Sequence, residues 1–105
     1  MKINWSECIN VLQDWLKKAL ANSFESSGVE LVKFDYDKSH EIAAVIVRKK
    51  DRYAVVHIWS AGTIDLILDD VVTNLETEVA FYFNFDSPEK ISSILDECML
   101  RLCEQ

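Results

Sequence analysis

Between Val29 and Phe85 the chain consists almost entirely of strand-forming stretches, and the interruptions are too short for anything but turns. Val29–Asp37 alternates in character, and Lys38-Ser39-His40 makes a turn. Ile42–Arg48 is β-branched and nearly continuous, as a central strand would be. Lys49-Lys50-Asp51-Arg52 reads as a charged hairpin tip, Tyr53–Trp59 resumes the alternation, and Ser60-Ala61-Gly62 turns the chain again. Thr63–Asp69 is a fourth strand, and residues 76–85 form a fifth. Parallel neighbours need a crossover of a dozen residues or more, so connections this short favour antiparallel hairpins in a meander.

A helix is expected on each side of this run. Asn4 with Glu7 three residues on has the pattern of an N-cap and capping box. Trp5, Cys8, Ile9, Leu12, Trp15, Leu16, Ala19 and Leu20 then fall along one helical face, and the spacing predicts a helix over residues 4–22, ended by Ser26-Ser27-Gly28. Ser87-Pro88-Glu89 is a start signal of N-cap serine, proline and first-turn acid. Ile91, Ile94, Leu95, Cys98, Met99 and Leu102 follow as one apolar stripe. The expected architecture is α+β: an N-terminal helix, a five-stranded antiparallel meander sheet and a C-terminal helix. Both helices are placed on one face of the sheet, in a single domain spanning residues 1–105.

Strict alternation assigns faces in the last three strands. Val79, Phe81, Phe83 and Phe85 share a side with Ile64, Leu66 and Leu68 and with Ala54, Val56 and Ile58; these purely apolar sets are the expected core. The opposite side carries Tyr53, His57, Trp59, Ile67 and Tyr82 among Asp65, Asp69, Glu76 and Glu78. Aromatic residues among charges have the composition of a binding surface, and these nine residues are the candidate partner-binding site.

Charge supports that choice. The net charge is −7, and from Tyr53 to Glu89 there are seven acids and no lysine or arginine. That sign argues against direct nucleic-acid binding, which needs a basic stripe. It suits a basic protein partner. Met1–Glu7 has no long apolar core after its lysine, so no signal peptide is read there, and no apolar run suggests a membrane span. Three cysteines, Cys8, Cys98 and Cys103, lie in helical segments and read as free thiols in a reducing cytoplasm.

The chemistry of catalysis is not signalled. His40 and His57 have no cysteine or histidine at metal-ligand spacing, Cys98-x4-Cys103 matches no zinc pattern, and there is no glycine-rich phosphate loop or G-x-S-x-G elbow. The expectation is a protein that is not an enzyme and needs no cofactor or metal.

The early tryptophan helix (Trp5, Trp15), the segment Val56-His57-Ile58-Trp59-Ser60-Ala61-Gly62-Thr63-Ile64-Asp65-Leu66 and the closing Ser-Pro-Glu helix resemble the small acidic immunity proteins of polymorphic and contact-dependent inhibition toxin systems, the TriTu immunity family in particular. The resemblance covers most of the chain and assigns no binding residues. It implies a cytoplasmic inhibitor that neutralises a cognate toxin domain, often a nuclease with a basic cleft, by stoichiometric binding. The alternative expectation is a small acidic chaperone of the type III secretion kind that binds an effector; such chaperones carry a helix inserted among the strands, which this sequence lacks. Homo-oligomerisation is left open by the sequence.

Overall fold

The computed structural model describes residues 3–70 and 79–103. In chain order these form α1 (Trp5–Lys18), a π-helical turn (Ala19–Ser23), α2 (Phe24–Ser27), β1 (Val29–Asp37), β2 (Ile42–Lys49), β3 (Arg52–Trp59), β4 (Thr63–Asp70), β5 (Val79–Asn84) and α3 (Lys90–Cys103). The strands lie in sequence order, each antiparallel to the next, in one five-stranded sheet. The α+β meander expected from the short turns is the fold observed. The first residues assigned to the fifth strand, 76–78, lie outside the described residues.

Helix α1 begins where the cap predicts, with the Glu7 N–H donating to Asn4 Oδ1 at 3.2 Å. It does not fade at residue 22. The chain stays helical to Ser27 and ends at Gly28, whose φ of +74° suits a residue without Cβ. The wider π turn explains the difference. Ala19 and Phe24 are five residues apart, too far round an α-helix to share a face, yet both are buried. Phe24 thereby meets Trp15 edge-on, ring centroids 5.8 Å apart. At the other end Ser87-Pro88-Glu89 forms a turn, with the Lys90 N–H donating to Ser87 O at 3.2 Å, and α3 proper starts at Lys90.

The core lies on one face of the sheet. Ala43, Val45 and Val47, Ala54, Val56 and Ile58, and Ile64, Leu66 and Leu68 are buried and in register, for example Val45 beside Val56 beside Leu66. Against them sit Leu12 and Leu16 of α1 and Ile91, Leu95, Cys98 and Leu102 of α3. Each valine, leucine or isoleucine among them contributes roughly 1.5–3 kcal/mol on burial. Two polar contacts tie the elements together: the Trp15 indole N–H donates to Asp96 Oδ1 at 2.8 Å, joining α1 to α3, and Arg52 Nη1 donates to Leu102 O at 2.9 Å, joining β3 to α3.

Phe81 and Phe83 pair with Leu66 and Ile64, so their face is the expected one, but they are half-buried rather than enclosed, as is Ile94. They lie on an edge strand, and their cover is the Arg101 guanidinium, 4.2 Å from the Phe81 ring centroid and 5.8 Å from that of Phe83. Phe85 is fully buried.

All three cysteines are free, with Cys8 and Cys98 in the core and Cys103 half-buried. Burial pushes the Cys98 thiol up to about 12, and burial with nearby acids, Glu7 first, pushes Cys8 to about 11, from an ordinary 9.0. Because the folded values are raised, the unfolded chain ionises first. These thiols leave stability intact below pH 9.0 and erode it as pH rises toward 11–12. Iodoacetamide at pH 8 should therefore modify Cys103 alone, with Cys8 and Cys98 reacting only on denaturation, which peptide mass spectrometry reads directly.

Two stability predictions follow from the packing. Truncating half-buried Phe83 to Ala should cost about 2 kcal/mol in denaturant unfolding, below the ~3–5 typical of an enclosed Phe. A Cβ at Gly62 (φ +98°) would fall 2.7 Å from Phe85 O, whereas one at Gly28 meets nothing within 4 Å. Gly62→Ala should thus cost about 2–3 kcal/mol and Gly28→Ala about 1 kcal/mol, from the left-handed backbone alone.

Candidate binding face

Because alternate side chains point to opposite sides, the strands that build the core also build a second face, which no described helix covers. Its residues form rows across the sheet. Ile42, Trp59, Thr63 and Asn84 make one row; Ala44, His57, Asp65 and Tyr82 make the next. Ile46, Val55, Ile67 and Ala80 form an apolar row, followed by Arg48, Tyr53 and Asp69. Rows are ~6.6 Å apart along the strands, which puts Asp65 and Asp69 about 13 Å apart with Ile67 between them.

The structure brings seven of the nine candidate residues onto this face. Tyr82 is 76% exposed and Trp59 38%, Asp69 is exposed, and Tyr53, His57, Asp65 and Ile67 are half-buried. Glu76 and Glu78 lie outside the described residues. His57 sits in register between Ala44 and Asp65, and Asp65 is beside Tyr82. Neither Asp65 nor Asp69 has an ion-pair or hydrogen-bond partner among the described residues.

Charges at the other side of the sheet are already paired. Arg48 donates to Glu30, and Lys33 Nζ lies 3.9 Å from Asp35 Oδ2. The acids of β4 are thus left to face solvent or a partner, while those of β1 have a cation at hand.

Sequence reasoning missed the contribution of β2. Ile46 and Ala44, with Val55 of β3, make the centre of the face apolar. The short Ala44 side chain, flanked in register by Asp35 and His57, floors a shallow cleft of about 480 Å³ at the β1–β2 hairpin. The signal was hidden because Ile42–Val47 is apolar at every position, which gives no parity to read.

One local cluster has the residue types of a hydrolytic site. In the β1–β2 turn, Ser39 Oγ donates to Asp37 Oδ1 at 2.7 Å, and His40 Nδ1 lies 2.8 Å from Asp37 Oδ2 and 3.3 Å from Ser39 Oγ. A catalytic base must face its nucleophile with one ring nitrogen and its orienting carboxylate with the other. Here Nδ1 meets both. Asp37 also accepts from the N–H groups of Ser39 and His40, so the cluster closes a turn. The side-chain hydrogen bonds, that of the Ser39 hydroxyl first and that of the His40 ring next, with the two N–H groups behind them, hold the Asp37 carboxyl well below the usual range. Among the described residues no group of His, Cys, Asp and Glu is placed to hold a metal ion, and no helix is long and apolar enough to cross a membrane.

No protein-family model matches the chain, and neither a curated protein nor a solved structure gives a significant match.

Proposed function

We propose that this chain is a binding protein that neutralises a basic toxin domain, a nuclease whose nucleic-acid substrate the acidic face imitates in charge, by covering it with the helix-free face of β3–β5. One observation carries the reading: exposed Trp59 and Tyr82 share that face with Asp65 and Asp69, which have no partner within the described residues. Desolvated aromatics supply affinity, and unneutralised carboxylates steer a cationic partner and reject acidic ones. The resemblance to immunity proteins supplies the biological setting, a producing cell protected from its own toxin. Free thiols, two of them buried, suit the cytoplasm in which such a protein works. In this reading the activity is stoichiometric, with no bond made or broken.

The test is co-expression with the cognate toxin domain, with growth and complex formation as readouts. Trp59→Ala and Tyr82→Ala should each weaken binding by about 2 kcal/mol, mainly through faster dissociation. Asp65→Asn and Asp69→Asn should chiefly slow association, by a factor that shrinks as salt is added. Folded variants at all four positions that still protect fully would remove this face from the reading.

A further inference from the structure

The edge of the sheet at β1 is long and apolar. β1 is nine residues long, is the outermost strand, and no described strand pairs with its outer side. Such an edge is a row of main-chain N–H and C=O groups that only another extended strand satisfies in series. Large apolar side chains gather there: Val32 is 51% exposed, Leu20 beside it 48%, and Tyr36 37%. Phe34, half-buried, stacks on Tyr36 at 5.8 Å.

We propose that two copies of this chain associate by antiparallel pairing of β1 with β1 about a two-fold axis at Phe34. The charge pattern chooses the occupant. In that register Lys33 falls opposite Asp35 of the second copy, and Asp35 opposite the second copy's Lys33. Both residues project to the helix-free face, since they pair with Ile46 and Ala44 of β2. Within one chain the Lys33–Asp35 contact is a loose 3.9 Å; the dimer gives each group a cross-strand counter-charge, the arrangement that stabilises antiparallel pairs. On the opposite side Phe34 meets its own symmetry mate, and Tyr36 falls opposite the second copy's Val32, the bulge residue without a β2 partner, so two of the exposed apolar side chains come to the seam. A chain of net charge −7 repels its own copies unless the contact brings opposite charges together, and this edge does so twice. The bulge between Leu31 and Lys33 marks the end of the regular stretch. The pairing thus runs over residues 32–36. It does not depend on the function proposed above.

The test is sedimentation of the full chain over a range of micromolar concentrations. The native protein should show a monomer–dimer equilibrium. Lys33→Asp or Asp35→Lys alone places like charges opposite one another twice and should weaken dimerisation about tenfold or more. An equimolar mixture of the two variants pairs aspartates with lysines only, and should restore association to near the native level. Both side chains are exposed, so circular dichroism should show unchanged folds. A native chain that stays monomeric, a dimer indifferent to either substitution, or a mixture no better than its components would overturn the proposal.

Discussion

The sealing of one sheet face by two helices from opposite ends of the chain is the constraint on which everything else rests. Trp15 is its pivot. The indole packs edge-on against Phe24, and its N–H reaches Asp96, 81 residues away. Without that bond a largely buried donor would lack its protein acceptor, at a cost of about 1–3 kcal/mol. With it, α1 and α3 are held side by side over β2–β4, and their apolar stripes close on the buried halves of those strands.

Sealing one face commits the other. A strand with period two cannot supply a core on one side without presenting a complete second set on the other. In β2 and β3 that second set stays largely apolar, with Ile42, Ala44, Ile46, Val55 and Trp59 facing away from the helices. A sheet that only needed solvation on its outer side would alternate more cleanly, hydrophobic in and polar out. The deviation is concentrated on the helix-free side, where it costs nothing to the core and leaves an apolar strip at the centre of the face.

Topology, helix placement and the face of each residue in β3–β5 were legible, because short turns leave few arrangements and alternation there is strict. What was not legible has physical causes. The π turn at Ala19–Ser23 accommodates a five-residue apolar spacing that a 3.6-residue period cannot register, so the helix read as ending early. Phe81 and Phe83 have the alternation of core residues, but alternation says nothing about a strand lying at an edge, where Arg101 becomes the lid. Of the candidate site, the aromatic and acidic members were visible in sequence. Their apolar centre was not, since a strand apolar on both sides hides its own parity.

Charge is unevenly spread across the sheet, and the unevenness separates two kinds of contact. Lysine and arginine gather on β1 and β2, where Lys33 and Arg48 sit beside Asp35 and Glu30. From β4 onward the strands carry no lysine or arginine, and Asp65 and Asp69 have no ion-pair partner among the described residues. A face with carboxylates and no lysine or arginine gains no lysine or arginine ion pair from a copy of itself, while burying those carboxylates there costs desolvation. The β3–β5 face thus complements positive charge better than it complements itself. A strand bearing lysine and aspartate two residues apart is complementary to its own reverse, and the β1 edge is suited to a second copy. The two contacts use different parts of the sheet. Pairing at β1 would leave both acidic faces open on the same side of one continuous sheet, separated by the β1 and β2 strands of both copies, so self-association and partner binding need not compete.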